Sequence, residues 1–132
     1  MTEKRFVIDS WAWIEYLDGS AAGEKVKSYV ENKNNIVFTS SLSVAEIVSK
    51  FLRRDMDPRV AVDAIKSLSR VLDINMEISA FAGELHAEIR KKISDFGLAD
   101  AFVLACSKTQ KAKIITGDPH FKNFPEAILV TR

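Results

Sequence analysis

The feature that most constrains this chain is an alternation. Short apolar runs recur along it, each separated from the next by one or two amphipathic stretches. Phe6-Val7-Ile8, Ile36-Val37-Phe38-Thr39, Val71-Leu72-Asp73-Ile74, Lys113-Ile114-Ile115-Thr116 and Ala127 to Val130 are the apolar runs. Continuous rather than alternating hydrophobicity marks strands buried on both faces, as in a parallel sheet. Between them the periodicity changes to that of helices. Trp11 to Leu17 is a short helix stopped by Asp18-Gly19. Ala21 to Glu31 places Val26, Tyr29 and Val30 on one side, and Asn32-Lys33-Asn34-Asn35 is a loop. Ser43 to Arg54 has Val44, Ile47, Val48, Phe51 and Leu52 on one side. A further helix opens at Asp57-Pro58, where proline suits the first turn, and is expected to turn Val60, Ala64, Ile65 and Leu68 to the core. Ile78 to Ile93 carries Phe81, Leu85 and Ile89 at four-residue steps, Asp95-Phe96-Gly97 breaks it, and Leu98 to Thr109 is the most apolar helix. Strands alternating with helices predict an α/β fold, with a central parallel sheet of about five strands and helices on both faces.

With 132 residues, the whole of 1–132 is expected to form one domain. A net charge of +1 argues against a strongly basic nucleic-acid wrapper, but not against an enzyme that meets phosphates through metal ions. The single cysteine, Cys106, allows no internal disulfide and sits in an apolar helix as a buried, inert thiol. No apolar run approaches the roughly 20 residues of a membrane span. Glu3, Lys4 and Arg5 precede the first strand without a signal-peptide pattern. A cytoplasmic protein is expected.

Four acids mark the chemistry, and each has an ordinary reading by itself. Asp9 ends the first strand and starts a helix, as an N-cap does. Glu46 follows Ser43 by three residues, the spacing of a capping box. Asp100 lies in a first helical turn, where a negative charge suits the dipole. Asp118, in Gly117-Asp118-Pro119, suits a turn. Taken jointly they differ. Should the first and fourth strands be neighbours at a switch point, Asp9 and Asp118 meet in the crevice outside the strand ends, where ligands bind. Glu46, in the first turn of the helix after the second strand, reaches the same edge. Asp100 is expected at the opposite edge, unless the Asp95-Phe96-Gly97 break rearranges its crossover. Clustered carboxylates need a cation, and oxygen-only ligation suits Mg²⁺ or Mn²⁺. Such ions clamp phosphates and activate water, which suggests phosphodiester hydrolysis.

Four pieces in this order resemble the PIN-domain family: Val7-Ile8-Asp9-Ser10, Ser43-Val44-Ala45-Glu46-Ile47, Leu98 to Ala105 around Asp100, and Ile114-Ile115-Thr116-Gly117-Asp118-Pro119-His120-Phe121. The length and single-domain make-up are similar to the VapC-type ribonuclease toxins. The resemblance implies an acidic pocket for Mg²⁺ or Mn²⁺, with Asp9, Glu46 and Asp100 as the three main acids. Asp118 matches a fourth that acts through water, and Thr116 a hydroxyl that helps hold water or ligand. Ser10 is a weaker match for the same task. Asp95 rivals Asp100 for the third position, but the apolar helical run of the family follows Asp100. The implied activity is endoribonucleolytic cleavage of single-stranded RNA by the toxin of a toxin–antitoxin pair, with an antitoxin partner and a homodimer. A PIN nuclease of RNA processing without an antitoxin, or a non-catalytic RNA-binding PIN scaffold, are the alternatives.

The remaining polar residues read more simply. Arg53 and Arg54 end a helix, where cations suit the dipole, or they meet RNA phosphates or an antitoxin. Lys91-Lys92 is a solvated face. His86 and His120 lack metal-ligand spacing and are expected to be neither ligand nor base. Trp11 and Trp13 cannot share a helix face, so one belongs to the core and the other to an interface. A receiver-type signalling domain is disfavoured because Asp73 falls inside the third apolar run and no suitable lysine follows the fifth. An aspartyl phosphatase is disfavoured because Trp11, not a second acid, stands two residues after Asp9.

Overall fold

A computed structural model describes residues 3–131. Five strands, β1 (Lys4–Ile8), β2 (Asn35–Ser40), β3 (Arg70–Leu72), β4 (Lys113–Thr116) and β5 (Ala127–Leu129), alternate with six helices. The helices are α1 (Ser10–Asp18), α2 (Ala21–Val30), α3 (Ser41–Arg53), α4 (Pro58–Leu68), α5 (Met76–Arg90) and α6 (Leu98–Gln110), with a 3₁₀ turn at Pro119–Phe121. All strand pairings are parallel, in the order β3-β2-β1-β4-β5. The apolar runs alternate sides within the sheet and so feed two cores. Phe6, Ile8, Val37 and Ile115 join Trp13, Val26, Ile47, Phe51 and Ile65 on the face covered by α1 to α4. Val7, Phe38 and Ile114 join Ala82, Leu104, Cys106 and Phe121 on the face covered by α5 and α6. Cys106 is fully buried there, and burial pushes its thiol up to about 11, as expected of an inert cysteine.

Several expectations need correction. β3 stops at Leu72, so Asp73 lies just beyond the strand and not inside it. A receiver domain is excluded instead by topology: its order is 2-1-3-4-5, whereas here β3 is an edge strand. Val60 is 62% exposed, not core-facing. Ala61 and Ile65, four residues apart, define the buried stripe of α4, and Val60 is one residue, about 100° of helix, off that stripe. The capping box proposed for Ser43 and Glu46 does not form. Ser40 caps α3, its Oγ accepting from Leu42 N at 3.1 Å, and Ser43 is buried inside the helix. Glu46 therefore stands in the second turn, not the first.

The direction of α6 decides between the two edges left open for Asp100. Lys111 takes a left-handed conformation (φ 52°), and Ser107 Oγ donates to Ala112 O at 2.5 Å. With only Lys111 and Ala112 between them, α6 and β4 run antiparallel. A helix running back against the following strand begins at that strand's carboxyl end, so Asp100 lies at the same edge as Asp118 and not the opposite one.

Candidate active site

The order of strands reverses between β1 and β4, which places a switch point at the sheet's centre. Ile8 pairs with Ile115, and Asp9 N donates to Ile115 O at 3.3 Å. Asp9 and the Thr116-Gly117-Asp118 turn thus leave adjacent strands together. Asp9 Oδ1 accepts from Ala12 N at 2.8 Å and caps α1. The Thr116 hydroxyl favours the ionised form of Asp9 and accepts from Asp118 N at 3.0 Å, so one side chain acts on both acids. The Ser10 hydroxyl, at the start of α1, favours the ionised form of Glu46 on α3. Asp100 Oδ2 accepts from Gly97 N at 3.1 Å at the first turn of α6.

The electrostatics are those of a crowded acidic site. Burial pushes Asp9 up to about 7 against its Thr116 and Ala12 hydrogen bonds, and the charges of Asp118 and Asp100 push the same way. Burial likewise raises Glu46 and Asp100; Asp100's charge adds to the first and Asp118's to the second. Among the described residues, no lysine or arginine forms an ion pair with any of the four acids. Buried and half-buried carboxylates without a lysine or arginine partner, held close enough to raise one another, fit a divalent cation. Ligand atoms of Asp100, Asp118 and His120 all lie within 4.8 Å of one another. Asp9 and Glu46 stand outside that tightest group, but Asp9 feels the charges of Asp118 and Asp100, and Glu46 that of Asp100.

His120 is the residue that spacing missed. Its Nδ1 lies 3.1 Å from Asp100 Oδ2 and 3.2 Å from Asp118 Oδ1, and its Nε2 lies 3.1 Å from Asp95 Oδ2. The Asp95 hydrogen bond, with the neighbouring negative charges, raises the imidazole. The only sequence signal was its position two residues after Asp118. Asp95, the rival third acid, has a 78% exposed side chain and meets His120. Asp100 occupies the inner position.

Aromatic packing holds this corner. Phe96, buried at the loop before α6, stacks on Phe124 at 5.6 Å and meets Phe121 edge-on at 5.9 Å. The Asp95-Phe96-Gly97 break is thereby pinned against the turn carrying Asp118 and His120. His86 takes no part in the acid cluster; its Nε2 pairs with Phe96 O at 3.1 Å. Trp13 is the core tryptophan, fully buried, with Nε1 donating to Thr39 Oγ1 at 3.0 Å. Trp11 lies partly buried with its indole directly over Gly117, where any Cβ would collide with the ring. Arg54 pairs with Asp18 at 3.2 Å at the end of α3.

A PIN domain family model matches residues 6–127. No curated protein sequence matches the chain. Among solved structures, a toxin–antitoxin complex from Klebsiella pneumoniae superposes with a TM-score of 0.76 at 16% identity, over 96% of this chain and 98% of that one. VapBC2 from Rickettsia felis, bound to a DNA fragment from its promoter, gives 0.71 at 21% identity, over 95% and 96%. VapC20 of Mycobacterium tuberculosis, a toxin that cleaves the sarcin–ricin loop, gives 0.68 at 20% identity, over 92% and 97%. These likenesses extend over nearly the full length of each chain and establish a common fold.

Proposed function

This chain belongs to the PIN domain family, and from that premise we propose that it is a metal-dependent endoribonuclease cutting single-stranded RNA, the VapC-type toxin of a toxin–antitoxin pair. The observation that carries the reading is the convergence of acids from separate segments on one sheet edge, with no lysine or arginine paired to them among the described residues. Asp9, Glu46 and Asp100 are the residues that would hold Mg²⁺ or Mn²⁺, with Asp118 supporting through water. Thr116 holds the Asp118 turn and favours the ionised form of Asp9, and Ser10 favours that of Glu46. The bound ion supplies charge neutralisation at the phosphate and a lowered pKa for water. No side chain need act as a nucleophile. The whole of residues 1–132 is taken as the catalytic domain, acting in the cytoplasm. No helix among the described residues is long and apolar enough to cross a membrane.

An antitoxin partner follows from the same reading, supported by the toxin–antitoxin assemblies among the structural likenesses; the homodimer follows from the family resemblance. A neighbouring gene for a small DNA-binding protein separates this reading from an RNA-processing nuclease. The activity is tested with purified protein, single-stranded RNA, and Mg²⁺ or Mn²⁺. Cleavage is expected, and both EDTA and Asp9→Asn are expected to stop it. Cleavage that survives both controls removes the mechanism.

A further inference from the structure

His120 is held from both sides. Its backbone N–H donates to Asp118 Oδ1 at 2.9 Å. Its ring lies edge-on to Phe96, 6.4 Å between centroids, and the adjacent Phe121 is fully buried. The imidazole therefore presents a fixed direction: Nε2 toward Asp95, Nδ1 into the gap between Asp100 and Asp118. A neutral imidazole has one N–H and one lone pair. With the proton on Nε2, donated to Asp95, the Nδ1 lone pair faces two carboxylate oxygens with no hydrogen between them. That arrangement is relieved either by a second ring proton, which Nδ1 then donates to Asp100, or by a metal ion in that proton's place.

The outer shell points the same way. Metal-binding histidines commonly donate their second N–H to a carboxylate, which fixes the tautomer and raises ligand basicity. Asp95 is placed to do this. The spacing also suits it: an octahedral ion with donors at about 2.1 Å keeps adjacent donors about 3 Å apart, and Nδ1 stands 3.1 Å from Asp100 Oδ2, the carboxylate assigned as a direct ligand. Resting on the metal-dependent reading above, we propose that His120 Nδ1 is a direct ligand of the divalent ion beside Asp100 and Asp118. Asp95 is its positioning residue. One imidazole in an otherwise oxygen site tilts the preference from Mg²⁺ toward first-row transition ions, with Mn²⁺ as the representative.

Pulsed EPR of the full chain loaded with Mn²⁺ reads hyperfine coupling from a directly bound nitrogen. The chain has two histidines, so three proteins decide the assignment. Wild type and His86→Ala are expected to carry the coupling, and His120→Gln to lose it. By titration, His120→Gln is expected to weaken Mn²⁺ binding about tenfold or more and Mg²⁺ binding about twofold or less; Asp95→Asn is expected to weaken Mn²⁺ binding about tenfold. Should His120→Gln fail to fold, the wild-type and His86→Ala spectra decide alone. Bound Mn²⁺ without nitrogen coupling in wild type, or coupling that survives His120→Gln or vanishes in His86→Ala, overturns this inference and leaves the metal-dependent reading standing. A chain that binds neither ion overturns both.

Discussion

Asp9 serves a helix and a site at once. Oδ1 caps α1 through Ala12 N, and the nearby Thr116 hydroxyl favours its ionised form. Burial raises its pKa from 3.8 to about 7. A raised carboxylate pKa means that the folded chain holds the proton more tightly than the unfolded one. The resulting stability is present below about pH 4 and is lost as pH rises to about 7. At about 1.4 kcal/mol per unit, the loss is on the order of 4 kcal/mol. Asn keeps the cap and removes the charge. Metal-free Asp9→Asn should therefore be more stable than wild type at pH 8, by a few kcal/mol, with the difference closing toward pH 4; urea unfolding in EDTA at both pH values checks this. Gly117 gives a second prediction. Gly117→Ala forces a methyl into the Trp11 indole and displaces Asp118, lowering cleavage by roughly 10- to 100-fold. Adding Trp11→Leu should restore part of it in the same cleavage assay. Asp9, Asp100 and Asp118 were legible because each borders an apolar run. His120 was not, because its meaning depends on Asp95, which stands 25 positions earlier and is brought near by the packing of Phe96 on Phe121 and Phe124.

Among elements, α3 shows an ordinary reading of an acid that the fold removes: the cap that would have explained Glu46 is made by another residue. Ser40, Ser41 and Ser43 are all plausible caps, and sequence spacing favours Ser43 with Glu46. The choice is made by β2, which pairs with β3 as far as Ser40 opposite Leu72, so the helix must start at the next residue. From the second turn Glu46 still stands near enough to Asp100 for that charge to raise it. The α1–α2 pair shows the opposite case, a contact with no pattern at all. Gly23 presses against the Glu15 carbonyl so closely that a Cβ would overlap backbone. Gly23→Ala should destabilise the protein by about 1–3 kcal/mol, as overpacking does. Gly83, within α5, has open space around its Cβ position, and Gly83→Ala should stabilise by roughly 0.5–1 kcal/mol. Thermal denaturation of both variants checks the pair, and equal effects would contradict the contact.

At the scale of the molecule, an acid cluster that destabilises the metal-free fold should make stability depend on the ion. A ligand at 100 times its Kd adds about 2.7 kcal/mol, so Mn²⁺ should raise Tm by several degrees. EDTA should reverse the shift, and Asp100→Asn should abolish it. The same scale separates what each level of description decides. The sequence by itself determined the elements, the parallel sheet with helices on both faces, and the acids waiting at strand and helix ends. Burial imposes its pattern on neighbouring residues, so that information is local. Only the tertiary structure decided that β1 lies beside β4, that α6 runs back along β4 to bring Asp100 to the shared edge, and that His120 turns its nitrogen into the acids. These depend on contacts between residues far apart in the chain. No local pattern records them, because each partner's identity is ordinary until the fold sets it beside the other.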